Sequence, residues 1–270
     1  MAVSRRHEGS DLGARILAAV PAIVYAVFIV YEGGLIFTIG VLLLGLMAMA
    51  ELFKLMRQPR PPVVAGYLSL IGLALAAHYG DRETVLLLLV ISVPVVFFFT
   101  AMRRYRKDAS WAMAVVIFGN VWIGLAIAHV VLLRELPHGG ALVVDTLIGT
   151  SISDTGAYFG GRMWGRTQLS PVISPNKTVE GLVVGFIAGT AAFWFAGAYQ
   201  NWLNGVDALI IGAAVAAAAP IGDLFESMVK RDSGVKDTGR FFGAHGGVLD
   251  RLDAVLFTVV MAYYVALAVL

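Results

Sequence analysis

Apolar residues along this chain come in long blocks separated by short polar links, not in the two-residue alternation of a half-buried strand. Crossing a bilayer as a helix takes about 20 apolar residues. About nine blocks of roughly that length can be traced, near 14–31, 34–53, 62–79, 84–102, 111–133, 140–161, 178–199, 206–225 and 248–270. The pattern predicts an all-α, polytopic integral membrane protein with about nine transmembrane helices. It is thinnest at the tight link Glu32-Gly33-Gly34 and in the polar-punctuated sixth block.

Charge supports the same division. With nine spans, alternate links fall on one side of the membrane. The N-terminal tail and the links near 54–60, 103–107, 162–177 and 226–251 hold 18 of the 20 Lys and Arg, and the opposite links hold only Arg82 and Arg134. Short links rich in Lys and Arg stay in the cytoplasm, so the N-terminus is expected there and Leu270 outside. Arg5, Arg6 and Arg15 flank the first block as they would a signal peptide, but a retained first span suits the later alternation better.

The 270 residues are 59% hydrophobic and only 14% charged, so no sizeable soluble domain is expected. Cysteine is absent, which excludes a disulfide framework and a thiol nucleophile. The net charge is +2, and the basic residues are accounted for by topology and by anionic headgroups. Membrane lipids, and no nucleic acid, are therefore the expected partners.

Residues 1–139 are predicted to be scaffold. Their links carry plain basic clusters such as Arg103-Arg104-Tyr105-Arg106-Lys107, and Glu51 and Lys54 read as interface residues at a span end. His78 and His129 read as hydrogen-bonded packing. Residues 140–270 are expected to carry the chemistry, in three polar constellations.

The first runs from Asp154 to Thr167. Asp154 falls inside the sixth block, about two helical turns before its cytoplasmic exit, and an acid at that depth needs a partner or a cation. Tyr158, one turn on, can orient it, and Gly160 and Gly161 can let two helices approach closely. The second is Ser174-Pro175-Asn176-Lys177-Thr178-Val179-Glu180-Gly181. Ser or Asn can cap the seventh helix, with Glu180 in its first turn. Lys177 beside a helix N-terminus makes an anion site.

The third spans Asp223 to Asp253 and packs six acids and five bases between two apolar blocks. If the eighth helix continues past Asp223, then Asp223, Glu226, Ser227, Lys230 and Arg231 share one face. Lys236 and Asp237 follow in a loop, then Gly243-Ala244-His245-Gly246-Gly247. Asp250 and Asp253, three residues apart, open the ninth helix. Acids at the foot of one helix and the head of the next suggest an oxygen-ligand metal site, favouring Mg²⁺ over Zn²⁺.

This last stretch resembles the signature of the phosphatidate cytidylyltransferases. The family pattern stands here as Ser227, Lys230-Arg231, Lys236-Asp237, His245-Gly246-Gly247 and Asp250-Arg251-Leu252-Asp253, with Gly243-Ala244 where many members carry Pro-Gly. The Asp154 and Ser174–Gly181 stretches resemble other blocks of that family, so the likeness covers roughly residues 150–255.

The resemblance implies transfer of a cytidylyl group from CTP to phosphatidate in phospholipid synthesis, at the inner face of a bacterial cytoplasmic membrane. It implies Asp223 and Asp250 as first metal ligands, with Asp154 completing the shell, and Mg²⁺ with a second cation such as K⁺. Lys230, Arg231, Lys236 and Lys177 would then bind phosphates, His245 would contact phosphate or diphosphate, and Arg251, Asp253 and Asp237 would support the site with Ser174 and Ser227. A homodimer through the N-terminal spans is allowed. Two alternatives stand beside this reading, a related transferase acting on another lipid phosphate and a cation-coupled transporter.

Overall fold

A computed structural model describes residues 9–103, 107–239 and 246–270. His245, with Gly243 and Ala244, lies outside the described residues, as does the Arg104–Arg106 part of the basic cluster. Nine helices account for most of the described chain: α1 (Gly9–Glu32), α2 (Gly34–Leu55), α3 (Val63–Tyr79), α4 (Arg82–Ala101), α5 (Ala109–Glu135), α6 (Gly139–Trp164), α7 (Val179–Ala196), α8 (Gly205–Asp232) and α9 (Leu249–Val269). They fall on the nine apolar blocks to within a few residues, except that α8 runs on to Asp232, as a shared face on that helix requires.

Six of them, α2, α4, α5, α7, α8 and α9, are long and apolar enough to cross a membrane. The protein is an integral membrane protein. α3 has 17 residues, and α6 carries Asp145, Thr146, Thr150, Ser153 and Asp154 within its 26, which keeps both below the same measure.

One departure from an all-α chain lies between α6 and α7. Strand β1 (Gln168–Ser170) pairs antiparallel with β2 (Ser174–Thr178), in register Gln168 with Thr178 and Ser170 with Ser174. Ser174 and Asn176 therefore do not cap a helix. Thr178 does, accepting a hydrogen bond from Gly181 N at 3.1 Å. The carboxylate of Glu180 pins the other end of the hairpin, accepting from Arg166 N at 3.0 Å and from Thr167 N and Oγ1 at 3.1 and 2.9 Å. A Pro-containing, β-branched segment beside a Glu acceptor gains more by pairing with itself than by extending α7.

Close packing brings the charged ends together. α6 lies on α7 through small residues: a Cβ on Gly160 would sit 2.5 Å from Val184 Cβ, and one on Gly185 would sit 2.6 Å from Ser153 O. This is the dense contact that small residues permit between membrane helices, as expected for Gly160. α8 meets α9 the same way, since a Cβ on Gly222 would lie 2.5 Å from Asp253 O. On its other side, Phe225 of α8 packs on Phe118 and Trp122 of α5, with ring centroids 5.8 and 4.9 Å apart. α8 is thus wedged in place one residue from Asp223 on one side and Glu226 on the other.

His78 and His129 pack as expected. His129 Nδ1 lies 2.7 Å from Leu125 O and Nε2 3.1 Å from Tyr264 Oη, while His78 Nδ1 lies 3.2 Å from Thr38 Oγ1.

Candidate active site

Five helix ends meet at one end of the bundle: the C-terminal ends of α2, α6 and α8 and the N-terminal ends of α7 and α9. The charged residues of the last third of the chain collect there in two neighbouring groups.

The first group centres on Lys177. Its Nζ lies 2.5 Å from Asp223 Oδ2, and Ser227 Oγ donates to Asp223 Oδ1 at 3.4 Å. Asp253 and Asp154 are within electrostatic reach of both Lys177 and Asp223. Of the carboxyl groups that α6, α8 and α9 bring near this ammonium from β2, Asp223 is the one in contact with it. Arg231 Nε donates to Ile173 O at 3.4 Å, so the hairpin turn docks on α8 and holds Lys177 over Asp223. Tyr158 does not orient Asp154; its hydroxyl accepts from Arg162 Nη1 at 3.1 Å instead.

The second group centres on Lys230. Its Nζ lies 2.7 Å from Glu226 Oε2 and 2.9 Å from Asp250 Oδ1. Glu226 has a side-chain exposure of 0%, and its Oε1 is buried without a hydrogen bond among the described residues. Asp250 Oδ2 accepts three further bonds, from Thr238 N at 2.9 Å, Thr238 Oγ1 at 3.0 Å and Gly247 N at 2.7 Å.

The predicted single face of α8 is thus two adjacent ones. Asp223, Ser227 and Arg231 turn to the hairpin, while Glu226 and Lys230 turn to α9. Asp250 and Asp253 also divide, although three residues apart. Helical bonding lapses between Leu252 and Val255, and each acid faces a different group. Lys236 and Asp237 are exposed in the loop after α8, and Ser174 is half-buried on β2.

The spacing put Glu226 on a cation-holding face of α8, where it is instead buried against Lys230, and it placed Glu51 at the interface. Glu51 is in fact buried at 6% exposure, and its carboxylate accepts from Thr238 Oγ1, Val248 N and Leu249 N. An acid beside Lys54 near the end of a largely apolar helix was the only signal available.

The acids here offer oxygen donors of the hard type that suits Mg²⁺. Among the described residues no three His, Cys, Asp or Glu groups stand at ligand spacing. A lysine ammonium sits instead beside each of Asp223 and Asp250, marking two places where positive charge is accommodated. The donor set fits a magnesium ion in kind.

The model of the cytidylyltransferase family matches residues 13–269. A phosphatidate cytidylyltransferase of Staphylococcus aureus is 33% identical over 257 residues, covering 90% of this chain and 94% of that protein. One from Bacillus subtilis is 32% identical over 270 residues, covering 94% of this chain and 97% of its own. The uncharacterized protein YnbB of Escherichia coli is 36% identical over 157 residues, which is 56% of this chain and about half (53%) of that relative.

Proposed function

The chain belongs to the cytidylyltransferase family, and on that premise we propose how its residues transfer a cytidylyl group from CTP to phosphatidate, giving CDP-diacylglycerol and diphosphate. One observation carries the division of roles: five carboxyl groups (Asp154, Asp223, Glu226, Asp250 and Asp253) gather around two ammonium groups at one end of the bundle. So much acid repels a triphosphate unless cations are recruited with it.

In the reaction, an oxygen of the phosphatidate monoester attacks the α-phosphorus of CTP, and the bond from that phosphorus to the diphosphate oxygen breaks. The monoester is largely ionised near pH 7, its second pKa being about 6. A strong general base is therefore unnecessary. The demands are neutralisation of two polyanions and in-line alignment. Asp223, with Asp154 in the same group, and Asp250 in the neighbouring group would be the residues that hold the cations, and Mg²⁺ bound there would supply charge neutralisation at the transferring phosphorus. K⁺ as a second cation follows the family resemblance.

Lys177 and Lys230 exchange their carboxylate partners for phosphate oxygens as substrate enters, joined by Arg231 and Lys236. Ser174 and Ser227 donate hydroxyls to the same phosphates, and His245 contacts the departing diphosphate. Asp253, Asp237 and Arg251 hold these cations in register.

The site faces the cytoplasm, all nine helices cross the membrane, and the N-terminus lies on the cytoplasmic side. The 18-to-2 division of Lys and Arg supports that orientation. Two protomers pair through the N-terminal helices, which crosslinking in membranes tests. The activity is tested by incubating membranes with radiolabelled CTP and a panel of lipid acids. Label entering a phosphatidate product supports the reading. Label entering only another lipid phosphate, or none, overturns it.

A further inference from the structure

Glu51 joins the half of the chain that looked like scaffold to the signature segment almost 200 residues away. Its Oε1 accepts from Val248 N at 3.0 Å, and its Oε2 accepts from Leu249 N at 2.8 Å and Thr238 Oγ1 at 3.1 Å. Val248 and Leu249 open α9, where backbone N–H groups have no partner within the helix. The cap of α9 is therefore supplied by α2.

The surroundings are shaped for this carboxylate. A Cβ at Gly239 would lie 2.5 Å from Glu51 Oε1, and a Cβ at Gly247 would overlap the same carboxyl group. Only hydrogen at both positions leaves room. The Thr238 hydroxyl is shared between Glu51 and Asp250 Oδ2, so the two acids are linked through one side chain. With Oδ2 held by Thr238 and Gly247, the remaining oxygen of Asp250 is turned to Lys230.

We propose that Glu51 is a positioning residue for cytidylyl transfer: it fixes Thr238 and the start of α9, and through them aims the Lys230-facing oxygen of Asp250. The proposal rests on Asp250 serving as the metal ligand assigned above. Groups one step beyond the ligands commonly set their orientation and strength. A carboxylate is required because its two oxygens accept, one each, from Val248 N and Leu249 N. Glutamine would turn an NH₂ group toward one of them.

The test compares purified wild type with Glu51→Gln, Thr238→Val and their combination. Ser69→Ala serves as a control that removes one buried hydrogen bond, to Ala65 O, from the N-terminal helices. Thermal midpoint, amide exchange at Val248 and Leu249, kcat, KM for CTP and the Mg²⁺ concentration for half-maximal rate are measured for each. Glu51→Gln is expected to speed exchange at both amides at least tenfold, lower kcat at least tenfold and raise the Mg²⁺ requirement. Thr238→Val should shift kcat and Mg²⁺ the same way, and the combination should be no worse than Glu51→Gln alone.

A folded Glu51→Gln enzyme within twofold of wild type overturns the proposal. So does a loss that only tracks the thermal midpoint, as in Ser69→Ala. Should Glu51→Gln not fold, Thr238→Val decides by the same kinetic criteria. Asp250→Asn is run alongside: if it turns over like wild type, the ligand assignment falls and the proposal with it. A dead Asp250→Asn beside a fully active Glu51→Gln rejects the role of Glu51 alone.

Discussion

Lys177 on β2 and Asp223 on α8 form an ion pair with Nζ 2.5 Å from Oδ2, so a two-stranded hairpin neutralises an acid one helical turn before the family signature. Replacing Asp223 with Asn keeps the shape and removes the charge. It is expected to lower CTP turnover about a hundredfold or more, the scale lost when a preorganised electrostatic group is removed, while circular dichroism stays helical. Turnover above a tenth of wild type would take Asp223 out of the ion shell.

Lys230 serves two acids, one of them fully buried. Removing one partner from a buried pair costs about 3–5 kcal/mol, because the remaining charge is stranded. Lys230→Met should therefore lower the thermal midpoint and abolish turnover together. Adding Glu226→Gln to it should recover part of the stability and none of the activity. An unchanged midpoint in the single variant would contradict the pairing.

The contact of Gly160 with Val184 leaves no space for a side chain. Gly160→Val forces α6 from α7 and should destabilise by about 1–3 kcal/mol, the usual cost of overpacking. Combining it with Val184→Ala should relieve much of that loss. Melting curves in detergent measure both, and failure of the second change to help would place the strain elsewhere.

Glu180 accepts bonds from Arg166 and Thr167 and so fixes the base of the hairpin that carries Lys177. Its removal as Glu180→Ala is expected to raise KM for CTP severalfold with little change in thermal midpoint, because the affected bonds lie near the surface. Steady-state kinetics at fixed lipid would check this. An unaltered KM would mean that hairpin position is set by the docking of Arg231 alone.

Chelation supplies a separate test of the cation. EDTA should silence the enzyme and excess Mg²⁺ should restore it, with the protein still folded throughout. Activity that survives exhaustive chelation would leave the acid cluster without its proposed role.

Much of this architecture was legible in the linear pattern. Nine apolar blocks became nine helices among the described residues, because a long apolar segment does best by satisfying its backbone hydrogen bonds within itself. The motif residues converge because they sit at the same ends of successive helices, and chain direction alternates. Local spacing also indicated that Glu226 and Lys230, four residues apart, would meet.

What spacing could not reach is partner choice across the bundle. The division of Asp250 from Asp253 follows from the broken turn at the head of α9 and from which neighbours each then meets. The hairpin around Ser174 arises because Glu180 accepts its backbone donors, a contact spanning more than ten residues. Glu51 is the clearest case: its partners Thr238, Val248 and Leu249 lie almost 200 positions away, and Gly239 and Gly247 make the room for it. The chain alone determined membrane helices, the end that carries the charge and the family chemistry. Tertiary packing alone decided which acids face lysines and which face backbone amides, since those outcomes depend on helix neighbours that no periodicity encodes.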